Sequence, residues 1–334
     1  MQAMVLERIA PIESSPLVLR DWPEPRPGAG EVRLRVSCCA ICRTDLHVIE
    51  GDLPEPTLPL IPGHQIVGVV EEEGPGCTRG LAGRRVGVAW LRSTCGRCEF
   101  CAGGRENLCE ASRFTGYHHH GGFAGAAVVP EAWAYELPEG FADEAAAPLL
   151  CAGLIGYRAL QRAEVPPGGS LGIFGFGSSA HLVIQSALHQ GCRVFVVSRG
   201  GSHRESAQAM GAHWVGSDPA RIPERLDSAI VFAPVGEAVP PALAALKKGG
   251  TLALAGITMT PTPPLDYERH LFHERTLRSV TANTREDGRE LLALAAEFPL
   301  NPRTTLYPLA EANRALLEMK QGSINGTGVL AVAR

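Results

Sequence analysis

The chain has no run of the roughly 18–20 apolar residues that a membrane-spanning helix needs. It has no block of lysine or arginine either, and its 31 basic residues are outnumbered by 35 acidic ones, for a net charge of −4. That balance excludes the basic footprint of a nucleic-acid binder. The first twenty residues, MQAMVLERIAPIESSPLVLR, contain neither an apolar signal core nor a cleavage-like site. Internal repeats and low-complexity tracts are missing as well. With 45% hydrophobic and only 20% charged residues, the 334-residue chain is not short of core-forming side chains, which argues against disorder. The expectation is a soluble cytoplasmic protein of about two domains, with no nucleic acid and no membrane among its partners. In a reducing cytosol the clustered cysteines among its ten read as metal ligands before disulfides.

Two rhythms divide the chain. Up to about residue 150, short β-branched runs such as EVRLRVSCCA, QIVGVVEEEG, RRVGVAW and GGFAGAAVVP alternate with glycine and proline turns, predicting a β-rich unit. From about Leu154, strands and helices alternate. SLGIFGFG, CRVFVVSR, DSAIVFAP and TLALAGIT read as strands; SSAHLVIQSALHQG, RESAQAMGA and AVPPALAALKKGG read as helices. Such alternation predicts a parallel sheet with crossover helices. Near Thr284 the pattern stops, leaving the helix REDGRELLALAAEF and a last strand, GTGVLAVAR. The fold class is α/β.

Gly175-Phe176-Gly177-Ser178-Ser179-Ala180 follows an apolar strand and opens a helix. The G-x-G-x-x-A pattern alone is weak, because glycine marks any tight strand-to-helix turn. In this context it fits a dinucleotide site: Gly175 permits the turn, Gly177 admits the pyrophosphate to the backbone, and Ala180 allows close helix packing. The next strand ends in Val197-Ser198-Arg199, without the carboxylate that accepts from the ribose of NAD. Serine with arginine can instead donate to a 2′-phosphate, which favours NADP(H) over NAD(H). His203 and Arg204 are further candidates there.

Cys95, Cys98, Cys101 and Cys109 form C-x2-C-x2-C-x7-C. Four thiolates this close in sequence can close a tetrahedral shell around one Zn²⁺ and leave no open position. The motif order CAICRTDLH, PGHQIVG, CGRCEFCAGGRENLC, PLLCAG, GFGSSA and KKGGTLALAGI resembles the zinc-dependent medium-chain alcohol dehydrogenases along nearly the whole chain.

The resemblance implies a second zinc, catalytic, held by Cys42, His64 and Cys151, so two per chain. Three ligands leave a position for substrate. Asp45 would orient the ligand histidine. Thr44 and His47 would relay the alcohol's proton to solvent by way of the nicotinamide ribose. Arg43 would contact the cofactor pyrophosphate, and the four-cysteine zinc would hold a structural lobe. Trp90, Ile49, Leu53 and Tyr117 would line the substrate pocket. Aliphatic side chains at Ile49 and Leu53, where some relatives carry tryptophan, point to medium-chain or aromatic primary alcohols and aldehydes. For Leu53 and Tyr117 plain core packing is an equal alternative.

The implied architecture is a GroES-like β-rich catalytic domain over 1–151, a Rossmann doubly wound parallel-sheet domain over 152–283 and a return to the catalytic domain over 284–334. The active site would lie in the cleft between them. The partner is a small-molecule alcohol or aldehyde, and the assembly a homodimer or homotetramer. Two positions depart from the family pattern: Gln65 stands where glutamate is common, and Thr327 where a phosphate-binding arginine is common. Gln65 should leave the zinc site more electropositive. The rivals are a zinc-free quinone or enoyl reductase of the same fold and a non-catalytic nucleotide-sensing zinc protein. His118-His119-His120 reads as a loop, His270 and His273 as a helix surface, and Cys38, Cys39, Cys77 and Cys192 as buried thiols.

Overall fold

The structure, a computed structural model, describes residues 1–54, 56–298 and 300–332. The chain forms two units, Met1–Cys151 with Ala282–Arg334, and Ala152–Thr281.

The first unit is built on a seven-stranded sheet. Its strands run Thr304–Pro308, Thr327–Ala331, Glu31–Ala40, Gln65–Glu73, Arg85–Val88 and Ala134–Glu136, with Ala126–Pro130 pairing on Glu31–Ala40. Glu31–Ala40 is the hub, antiparallel to three neighbours. Its alternate residues Val32, Leu34 and Val36 are buried while Arg33 and Arg35 meet Glu71 across the sheet, the period-two pattern of a half-covered strand. One continuous core joins these residues to Met4, Leu6, Ile61, Ile66, Phe123 and Leu330.

The second unit carries a six-stranded, wholly parallel sheet in the order Trp214–Gly216, Arg193–Val197, Ser170–Phe174, Leu226–Val231, Leu246–Leu254 and Thr276–Ser279. In chain order this is 3-2-1-4-5-6, the doubly wound arrangement with its switch point beside the first strand. Ser170–Phe174 is buried at every position, as a central strand covered on both faces must be. Gly175 follows it at φ 90°, where an added Cβ would lie 2.8 Å from the Ala233 nitrogen, so only glycine fits the turn. Gly177 then caps the helix Ser178–His189, and Ala180 is fully buried against the sheet.

Three sequence expectations need correction. The helix read over AVPPALAALKKGG stops at Ala245, because Leu246 already pairs with Leu226 and Lys247–Gly250 belong to the strand Leu246–Leu254. The run GGFAGAAVVP becomes strand only from Ala126. His270 is buried, its Nδ1 accepting from the Asp266 amide, and His273 lies beyond the short helix Tyr267–His270, so the two do not share an exposed helix face. Among the described residues, no helix is long and apolar enough to cross a membrane.

Candidate active site and metal centres

Cys42, His64 and Cys151 come from three places in the first unit. Cys42 ends the loop after the hub strand and caps the helix Arg43–Glu50. His64 precedes the strand Gln65–Glu73, and Cys151 follows the 3-10 turn Ala147–Leu150. Their donor atoms lie within 4.8 Å of one another. Cys42 Sγ is 3.3 Å from His64 Nε2 and 3.9 Å from Cys151 Sγ. Two sulfurs held about 2.3 Å from one tetrahedral zinc stand about 3.8 Å apart, so the spacing fits a single ion. Gly63 makes the approach of His64 feasible: it has φ 97°, and a Cβ there would run into the Phe123 ring.

Asp45 explains how the sequence folds here. One carboxylate oxygen accepts from the Cys42 amide at 2.8 Å, completing a capping box in which Cys42 Sγ accepts from the Thr44 amide. The other oxygen lies 3.0 Å from His64 Nδ1. The carboxylate therefore turns Nε2 toward the thiols while it closes the helix end. Burial alone would pull the His64 pKa down, yet Asp45 and Cys42 push it up to about 10. Cys42, beside His64 and Cys151, is held well below the ordinary thiol range, while Cys151 is pushed up, so a dication bound here would take the place of the protons on His64 and Cys151. Thr44 is buried at the second helical position and does not cap the helix, a role Cys42 takes. Arg43 is exposed on the same helix, and His47, one turn on, places Nδ1 2.7 Å from Asp52.

Cys95, Cys98, Cys101 and Cys109 form the other thiol cluster, again within 4.8 Å. Cys101 Sγ is 3.5 Å from Cys98 Sγ and 3.9 Å from Cys95 Sγ, and the Cys95 and Cys98 amides donate to sulfurs of the cluster. Such amides favour thiolates, so this donor set also fits zinc. No other group of three or more potential ligands converges among the described residues. His118 and His120 turn apart, their Nδ1 atoms accepting from the Phe114 and Ile61 amides. Cys38, Cys39 and Cys192 are buried, and burial together with Asp143 pushes the Cys38 thiol up to about 12. Cys77 is half-buried, its thiol donating to the Glu31 carbonyl.

The implied pocket residues separate. Trp90 meets the His64 ring edge-on, with centroids 5.0 Å apart, and stacks on Tyr117 and on Phe114, which the sequence reading missed. Tyr117 donates its hydroxyl to the Pro54 carbonyl. Ile49 is wholly buried in the hydrophobic core and offers no surface to a pocket, a correction to its implied role. Leu53 is half-buried and packs against the same core. In the second unit, Ser198 is buried, Arg199 is exposed, and Arg204 donates to the carbonyls of both, so it shapes their loop.

Comparison with known families settles the affiliation. Residues 28–139 match the family model described as "Alcohol dehydrogenase GroES-like domain", and residues 180–297 match "Zinc-binding dehydrogenase". The chain is 48% identical to the protein named "Probable alcohol dehydrogenase AdhA" of Mycobacterium tuberculosis (strain CDC 1551 / Oshkosh), across 99% of this chain and 97% of the relative. It is 35% identical to an alcohol dehydrogenase of Geobacillus stearothermophilus, across 99% and 100%. Among solved structures it resembles a cinnamyl alcohol dehydrogenase, SbCAD4, from Sorghum bicolor. That match has TM-score 0.90 at 28% identity and covers 99% of this chain and 97% of the other. The chain belongs to the zinc-type medium-chain alcohol dehydrogenase family. Its activity is that of an NAD(P)-dependent alcohol dehydrogenase, on a fold that combines a GroES-like domain with a Rossmann-like parallel sheet.

Proposed function

We propose that this alcohol dehydrogenase interconverts primary medium-chain or aromatic alcohols and their aldehydes with NADP(H) in preference to NAD(H), and that it holds two zinc ions per chain. The observation that carries the reading is the convergence of Cys42, His64 and Cys151 on one tetrahedral spacing beside Asp45. Three ligands leave the fourth position for substrate, whereas the four cysteines of the lobe close theirs. Zinc at the triad supplies Lewis acidity at the substrate oxygen, and the nicotinamide supplies or takes the hydride. The residues do the rest. Asp45 keeps His64 in its ligating orientation, Thr44 takes the proton of the alcohol, and His47 passes it toward solvent.

Trp90, fixed against His64 by its stacking partners, offers a flat apolar wall suited to an aromatic or extended aliphatic substrate. Exposed Arg199, at the end of a strand that carries no carboxylate, supports the 2′-phosphate reading. Arg43 would add a contact to the pyrophosphate. The zinc-free reductase reading has no use for the triad. Homodimeric or homotetrameric assembly is supported by Thr276–Ser279, the edge strand of the parallel sheet among the described residues, on which Leu277 is exposed. The test is a panel of alcohols and aldehydes run with both cofactors and paired with metal quantification. Turnover of medium-chain and benzylic substrates, at least tenfold better kcat/KM for NADP(H) and two zincs are expected. Preference for NAD(H) at equal concentration overturns the cofactor reading.

A further inference from the structure

The helix Arg43–Glu50 ends in a way that bears on His47. Gly51 takes the left-handed conformation at φ 82°, and the amides of Gly51 and Asp52 both turn back to the His47 carbonyl. This closure folds Asp52 under the last helical turn, bringing its Oδ2 to 2.7 Å from His47 Nδ1. Residues five apart on a continuing helix would not meet in this way. A carboxylate only accepts, so Nδ1 is the donor and carries the ring proton. The lone pair of the neutral ring then resides on Nε2. An imidazole side chain free in water favours the opposite tautomer, with its proton on Nε2. The His47 side chain is 15% exposed and that of Asp52 53%, so the pair stands where the protein meets solvent.

We propose that Asp52 is a positioning residue for proton transfer, locking His47 in the Nδ1–H tautomer so that Nε2 is the acceptor in every cycle. The proposal rests on the relay reading of Thr44 and His47. In alcohol oxidation the O–H proton arrives at Nε2 and makes a new N–H bond, while the Nδ1 proton stays on its bond to Asp52. Loss of the Nε2 proton to bulk water restores the same neutral tautomer, and no proton or electron is left over. Without Asp52, much of the neutral population carries its proton on Nε2 and cannot accept until it rearranges.

The test labels the histidines of the zinc-loaded protein with ¹⁵N and reads the His47 ring nitrogens by NMR, assigned with His47→Gln, alongside kcat. Wild type should show a protonated Nδ1 and an unprotonated Nε2. Asp52→Ala, at an exposed side chain, should move the proton to Nε2 and lower kcat about tenfold with KM for alcohol little changed. Asp52→Glu, which keeps a carboxylate, should restore both readings. Retention of the proton on Nδ1 in Asp52→Ala overturns the lock. Unchanged turnover in His47→Gln overturns the relay reading itself, and Asp52's part in turnover with it, whichever nitrogen carries the proton.

Discussion

The two thiol-rich centres of this protein are made in opposite ways. The lobe takes all four donors from one fifteen-residue stretch, Cys95 to Cys109, in which three of the four cysteines are only half-buried. Backbone amides of the same loop support its sulfurs. The triad takes its donors from residues 42, 64 and 151, and His64 and Asp45 are almost wholly removed from water. A centre made by a loop can organise only that loop. A centre made by the fold is held by everything the fold packs, which suits a site that must keep one position open and its remaining ligands still.

Removing a triad ligand should have the largest effect on turnover. Cys42→Ser should cut kcat/KM by about a thousandfold or more, the several kcal/mol that Lewis acidity contributes, in a protein that keeps its circular dichroism and its lobe metal. Removing a lobe ligand should reverse the pattern. Cys98→Ser should lose the other zinc and about 3 kcal/mol of stability, a fall in melting temperature of roughly 6–12 °C by calorimetry. Turnover of the molecules that remain folded should stay within about twofold of wild type.

Asp45→Asn probes the support behind the triad alone. Its zinc should bind about 10–100-fold more weakly in chelator competition, while the lobe zinc is unaffected.

The smallest effect belongs to the tether between the lobe and the rest of its unit. Glu106 lies between Cys101 and Cys109 and takes hydrogen bonds from the Arg285 guanidinium and amide, while Arg285 packs 4.6 Å over the Trp133 ring. Burial opposes the Glu106 charge, but Arg285 outweighs it and holds the carboxyl below the usual glutamate range. A carboxyl held low in the folded state contributes stability that is present above the unfolded value, about pH 4.3, and lost as the pH falls through the folded one. Glu106→Gln should therefore cost about 2 kcal/mol at pH 7 in denaturant melts, and the difference from wild type should shrink as the pH falls below about 4.

The same contrast governs what could be read in advance. The grouping of Cys95, Cys98, Cys101 and Cys109 was legible because the four lie close together in sequence, so spacing alone pointed to a shared metal. The triad was legible only through the order of motifs, since nothing local relates residue 42 to residue 151. Sequence periodicity showed the parallel sheet but not its short edges: Trp214–Gly216 and Thr276–Ser279 have too few residues to establish a period. Lys247 and Lys248 continued a plausible helix, and pairing of Leu246 with Leu226 overrode that local preference. Ile49 was assigned to a pocket by position in a motif, but its surroundings in the core decide otherwise. Phe114 gave no signal, because its stacking on Trp90 is a tertiary fact. Asp52 was not singled out in the sequence, because only the left-handed Gly51 brings it under His47.

The division of labour between the two centres is tested most directly by counting zinc, turnover and stability together in wild type and Cys151→Ala. The account predicts two zincs per chain in wild type and one in the variant, with turnover lost and the melting temperature within a few degrees. An active Cys151→Ala enzyme, or a wild type whose only zinc sits among Cys95, Cys98, Cys101 and Cys109, would contradict it.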